Sequence, residues 1–364
     1  MIYCLLLIYS LFFTMQYPGK WASLQKGSIV IYMLCFLSFV MPWIIVCGGQ
    51  YETGTDYNTY MSLFRSGDVA LYLTKREYLF AYIVELWHEL RLCPQGLYFF
   101  FYTVCFCFLG LICHKINNRY LYLFIILYFT VSSIFFNQLN LLRQSTAAYI
   151  VTYGAISYLK DKSVLLFFIS IFIGSLFHAS SWIVLIVPLV AKVRLSLTSL
   201  RFISIICLML VLFGRSIVGS ILDSLVNYIP SIYRGYLAST FNTDVSLLKL
   251  IPKLCFFPLY FFSLQFLGKK ISFNQRSLFI VGMFAYLFRL VSLTNVILDR
   301  LGYIFILISI FPLFLYWQYL SKTRRRALLI SNIMICISVF LIKTLFLASN
   351  EYDYHSIYIE MIMV

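Results

Sequence analysis

The chain has 364 residues, of which 62% are hydrophobic and only 11% charged. So few charges cannot keep the surface of a soluble domain of that size wet, so a water-soluble globular protein is excluded. The formal net charge of +15 does not point to nucleic acid. Its cations fall in short clusters between apolar runs, such as Lys115 with Arg119, Lys160 with Lys162, and Arg324 to Arg326, as in the cytoplasmic loops of a multi-pass membrane protein.

Apolar runs of roughly 15–22 residues predict an all-α, polytopic integral membrane protein with about twelve transmembrane helices. In chain order the expected spans are 1–17, 28–47, 96–114, 120–136, 143–159, 163–177, 179–191, 201–219, 247–267, 277–297, 301–320 and 327–347, within a single membrane domain over 1–364. Residues 1–17 lack a basic leading segment and a small-residue cleavage site, so they read as a retained span. The runs 163–177 and 179–191 are short, and fit either two spans or one re-entrant pair. Setting every basic cluster inside sends 48–95, 137–142, His178, 220–246, 298–300 and the tail from Ser349 to the outer face.

Two outer segments are long. The loop 48–95 contains YLFAYIVELWHEL, whose helical apolar spacing predicts a helix lying at the membrane interface. The second loop, 220–246, carries on a similar stripe through Ile217, Ile221, Leu225 and Ile229. Most of the 10 cysteines lie in apolar runs and read as small buried hydrophobes. Cys47 and Cys93 share the outer side and form a candidate pair. No spacing suggests a zinc site.

The outer face collects the chemistry. Arg143, in FNQLNLLRQSTAAYI, sits at the start of an inward-running helix, where free backbone N–H groups attract anions and a guanidinium adds a bidentate grip on phosphate. A snorkelling arginine at the membrane boundary is the plainer alternative. Arg234 and Arg300 fall on the same side, with Lys249, Lys253 and Arg215, and Arg289 lies inside an apolar run where an unpaired charge is expensive. Together they suggest a site for a diphosphate, although adjacent Asp299 offers simple ion pairing instead. His178, in LFHASSW, is either a polar turn residue or a group that positions or deprotonates an acceptor hydroxyl. Ser180 and Ser181 follow it, but no nucleophile elbow is present. In GTDYNTY, Asp56, Tyr57 and Tyr60 offer a carboxylate and aromatic faces suited to sugars, while Asp56 equally suits a helix cap. Glu77 and Glu85 are secondary carboxylates.

The stretches GTDYNTYMSLF (54–64), REYLFAYIVELW (76–87), NLLRQSTAAYIVTYGAISYLK (140–160), SLFHASSWIVLIVPLV (175–190) and DRLGYIF (299–305) together resemble the EpsG family, which belongs with the Wzy-type polymerases of O-antigen and exopolysaccharide synthesis. The resemblance implies a GT-C-like glycosyltransferase of the bacterial inner membrane with its active site facing the periplasm. Its substrates would be oligosaccharide repeat units on undecaprenyl diphosphate. The growing glycan would pass to the non-reducing end of an incoming lipid-linked unit. No cofactor, nucleotide sugar or metal is implied, and a flippase and a chain-length regulator are candidate partners. On this reading Arg143 and Arg300 stabilise the departing diphosphate, and His178 or Asp56 receives the acceptor proton. Tyr57, Tyr60, Glu77, Gln144, Arg234 and Arg289 contact substrate. A transporter or flippase of the same lipid-linked sugar, and a membrane O-acyltransferase of surface glycans, are the alternative functions.

Single cysteines introduced at positions 56, 143, 178 and 300 are expected to react with an impermeant thiol reagent from the extracytoplasmic side. Labelling of any of them from the cytoplasm alone breaks the assigned topology.

Overall fold

The computed structural model describes residues 2–16, 29–116, 119–214, 217–220, 224, 247–269, 271–346 and 353–358. It is almost wholly helical, and its sheet among these residues is one two-stranded pairing. The all-α expectation is met. The chain divides into two compact units, 1–183 with 337–364, and 184–336.

The first unit opens with α1 (Ile2–Gln16) and α2 (Ile29–Gly48), followed by strand β1 (Gln50–Tyr51). The long loop then folds into α3 (Tyr57–Ser66), α4 (Ala70–Thr74) and α5 (Tyr78–Glu89), so the helix expected in YLFAYIVELWHEL is present. Pro94 opens α6 (Pro94–Ile116), where its missing N–H costs nothing. Next come α7 (Leu121–Thr130), the short α8 (Ile134–Asn137), α9 (Leu142–Asp161) and α10 (Val164–Phe177). Each expected span of this unit thus corresponds to a helix, with 120–136 broken after Thr130.

Helices α9 and α10 form an antiparallel pair joined by a tight turn, with Lys162 in the left-handed region at φ 59°. Their backbones approach closely because small residues face each other: a Cβ on Gly154 would lie 2.4 Å from the Ser170 Cβ. Packing through small residues is how helices associate where lipid removes the hydrophobic drive. The pair also fixes where the ends go. Arg143 and His178 lie about 28 Å and about 22 Å from the turn at 1.5 Å per residue, so both arrive at the same end. The other end carries basic groups: Lys115 pairs with Asp161, and Lys160 donates to the Lys115 carbonyl.

A buried polar lattice pins the loop onto these helices. Gln95 donates to the carbonyls of Gly48 and Gln50 at 2.7 and 2.9 Å and accepts from the Tyr57 hydroxyl at 3.0 Å. Tyr102 donates to Gln50 Oε1 at 3.0 Å, and Tyr149 donates to Gln138 Oε1 at 2.9 Å. Gln50 and Gln138 are fully buried, so these bonds satisfy groups that would otherwise be costly. The tail joins the same end: β2 (His355–Ser356) pairs antiparallel with β1, and the Tyr354 hydroxyl donates to the Val46 carbonyl at 2.7 Å. Cys47 is buried and Cys93 exposed, both as free thiols, so the candidate pair is not formed.

The second unit contains α11 (Val187–Lys192), α12 (Leu197–Phe213), α13 (Leu247–Cys255), α14 (Phe257–Ser263), α15 (Phe273–Ser292), α16 (Val296–Gly302) and α17 (Phe311–Lys322). Ser196 caps α12, accepting from the Ser199 N–H at 3.0 Å, and Ser272 with Gln275 forms a capping box on α15. Tyr260 and Tyr286 stack at 3.5 Å, and Tyr260 donates to the Ser309 carbonyl at 2.8 Å. The run expected as one span at 301–320 is bent by 67° between Leu298–Phe305 and Ile308–Lys322. A last helix, α18 (Arg326–Leu341), continues into a π-helical turn at Ile342–Phe346.

Among the described residues, 2 helices, Pro94–Ile116 and Arg326–Phe346, are long and apolar enough to cross a membrane alone, or up to 3 if the bent pair is one span. The remaining apolar helices are shorter. Most of the 220–246 loop, including Arg234, lies outside the described residues, as does Arg215.

Gly54 has φ +91°, and a Cβ there would sit 2.3 Å from Asn140 Oδ1. Gly54→Ala is expected to destabilise the first unit by on the order of 1–3 kcal/mol, read as a lowered unfolding temperature of the detergent-purified protein.

Candidate functional site

The site of the first unit is built where the α3–α5 loop covers the start of α9 and the end of α10. Glu77 precedes α5, with its N–H bonded to the Tyr72 carbonyl at 3.0 Å and its carboxylate only 2% exposed. A carboxylate so deeply buried needs a cation, and Arg143 supplies it through a direct ion pair to Oε2. The Arg143 guanidinium also lies 4.5 Å from the Tyr72 ring and 5.3 Å from the Phe80 ring, and it donates to the Tyr60 hydroxyl. Its Nε has no hydrogen-bond partner among the described residues.

His178 breaks the helix after Phe177 with an extended backbone, φ −156° and ψ 124°. Its Nε2 faces Glu77 Oε1 at 3.9 Å. Its Nδ1 lies 2.8 Å from Ser180 Oγ and accepts the Ser180 backbone N–H at 3.3 Å. An N–H can only donate, so Nδ1 carries the lone pair and the ring proton sits on Nε2, pointing at the carboxylate. Burial pushes the Glu77 carboxyl above its ordinary range, while Arg143, Lys75 and a bond to the Ala179 backbone oppose that shift.

Four of the sequence-derived residues, Tyr60, Glu77, Arg143 and His178, therefore meet in one cluster. Gln144, beside it on α9, is buried. Asp56 stands at the start of α3 but makes no side-chain capping bond, so the capping alternative does not hold. Tyr57 is 4% exposed and stacks on Tyr98; burial pushes its phenol up to about 12, which keeps it a donor to Gln95. It serves the interior of the loop and presents no open face. Tyr72, Phe80 and the buried Gln50, Gln95 and Gln138 were not singled out along the sequence, and Ser180 was noted there only as no hydrolase nucleophile. Tyr72 and Phe80 flank Glu77 within a few residues, which was the one available signal.

Arg289 and Arg300 belong to the second unit. Arg289 Nε is buried and lacks a hydrogen-bond partner among the described residues. Asp299, Tyr260, Tyr303 and Tyr286 act on it electrostatically. Asp299 forms its ion pair with Lys253, at 3.3 Å, and Arg300 is exposed.

An apolar, almost wholly helical chain that gathers buried charge beneath a loop at one end of its first unit defines a membrane protein with an internal polar site. Within that class the chain belongs to the EpsG family, whose profile matches residues 32–357. This places it among the membrane proteins of polysaccharide biosynthesis. No curated protein and no solved structure matches the chain.

Arg143→Leu would leave Glu77 buried without its cation, a loss of about 3–5 kcal/mol when the carboxylate is ionised. Because burial already raises the Glu77 pKa, protonation at lower pH removes the stranded charge. The destabilisation is therefore expected to shrink as pH falls through the raised value, in thermal unfolding measured across pH.

Proposed function

We propose that the protein polymerises lipid-linked oligosaccharide repeat units at the periplasmic face of the bacterial inner membrane, using about twelve spans in a GT-C-like arrangement. The growing glycan moves from undecaprenyl diphosphate to the non-reducing end of an incoming undecaprenyl-diphosphate-linked unit. The observation that carries this reading is the cluster of Arg143, Glu77 and His178 at one end of the first unit, in a chain of the EpsG family. As the C1–O bond breaks, negative charge builds on the departing diphosphate. A guanidinium in a partly dry site stabilises that charge more in the transition state than in the ground state. Arg143 takes this role, with Tyr60 and Gln144 contacting substrate beside it. Arg300, Arg289 and Arg234 are further contacts for anionic groups, and a flippase and a chain-length regulator are candidate partners.

Arg143→Ala and Arg300→Ala are expected to restrict surface glycan to single repeat units, compared per amount of inserted protein. Long chains from either variant would remove that arginine from the reaction. His178→Ala should lower polymer without stopping delivery of the lipid-linked unit across the membrane. Cytoplasmic accumulation of that unit would instead favour a transporter. Polymer formation by the purified protein with a defined lipid-linked repeat unit is the direct test.

A further inference from the structure

We infer that Glu77 is the group that takes the proton of the acceptor hydroxyl, and that its pairing with Arg143 couples this transfer to capture of the diphosphate. The inference rests on the polymerase reading. It starts from the histidine, the more obvious base. Its Nδ1 lone pair is engaged by the Ser180 N–H at 3.3 Å and by Ser180 Oγ at 2.8 Å, while Nε2 carries the proton and faces Glu77 at 3.9 Å. In this tautomer the ring offers substrate a donor and not an acceptor. His178 is then a positioning residue for the carboxylate.

The groups around Glu77 favour proton uptake on one condition. Arg143 faces it from α9, His178 from the end of α10, Lys75 from the segment after α4, and the Ala179 backbone bonds to it. Tyr60 and Tyr72 flank the guanidinium from α3 and α4. As long as Arg143 stays on the carboxylate, its charge opposes the rise that burial causes, and Glu77 is a weaker base than it would be without that partner. The Arg143 side chain is 18% exposed against 2% for Glu77, so the guanidinium is the partner that an arriving anion reaches. A diphosphate drawing Arg143 toward itself leaves the carboxylate desolvated and less compensated, which raises its proton affinity. Leaving-group stabilisation and base strength then rise together.

The step balances without a co-reactant. The donor C1–O(phosphate) bond breaks and its electron pair leaves on the diphosphate, held by Arg143. The acceptor oxygen forms the new C1–O bond, its proton passes to Glu77, and Glu77 later returns that proton to water.

The test uses the full-length protein in liposomes with a lipid-diphosphate-linked repeat unit, measuring kcat and KM against pH. Glu77→Gln keeps an acceptor for Arg143 but cannot take the proton. It is expected to lower kcat by roughly 10²- to 10⁴-fold, the usual worth of general-base catalysis, with little change in KM. Wild-type kcat should fall on the acid side through an inflection above the ordinary carboxylate value of about 4.3. That inflection should persist in Glu77→Asp and in a slower His178→Gln. Polymerising wild-type protein alongside a Glu77→Gln variant within about tenfold of its kcat overturns the role of Glu77 alone, given the contribution expected of a base. Loss of the acid inflection in His178→Gln does the same, and needs no folded Glu77 variant. Wild-type protein that makes no polymer overturns the polymerase reading itself.

Discussion

The ion pair between Glu77 and Arg143 is the constraint on which the first unit depends. Neither charge is tolerable alone at its depth, because desolvating a carboxylate costs several kcal/mol unless a cation and further bonds offset it. The pair joins positions 66 residues apart, so it forms only when the loop that carries Glu77 is folded down onto the start of α9. The surrounding structure follows from that need. Tyr72 and Phe80 cover the guanidinium, Tyr60 accepts from it, and the backbone of Ala179, just beyond the end of α10, bonds to the carboxylate.

Precision at the cluster comes from the layer behind it. Gln50, Gln95 and Gln138 join the loop, α2, α6 and the segment before α9 through bonds to backbone and to tyrosine hydroxyls. A satisfied buried network of this kind specifies one arrangement, whereas purely apolar contacts would allow the loop to slide. Close packing of α9 on α10 through Gly154 and Ser170 adds a rigid pair of helices. A site on loops held by such a scaffold is the usual way that function is placed.

The second unit treats buried charge differently. Arg289 is acted on electrostatically by Asp299 and by the phenols of Tyr260, Tyr303 and Tyr286, while the carboxylate of Asp299 is bound to Lys253. The carboxylate that acts most on Arg289 is thus shared with a lysine. The first unit supplies its arginine with a dedicated counter-ion.

The sequence by itself determined the solvent and the segments. Hydropathy and run length are local properties, so the membrane class, the helices and even the loop helix at Tyr78–Glu89 were legible along the chain. Charge asymmetry between loops also grouped Glu77, Arg143, His178 and the tail at one end, where the structure has them together. Tertiary structure decided the pairings. Asp56 and Glu77 are both plausible carboxylates in one loop, and only the fold turns Glu77 toward the guanidinium while leaving Asp56 without a capping bond. It likewise directs Tyr57 into the interior and sets the His178 tautomer through Ser180. Such choices depend on distances between groups far apart in sequence and on the water excluded from between them, and neither quantity is written in a one-dimensional pattern.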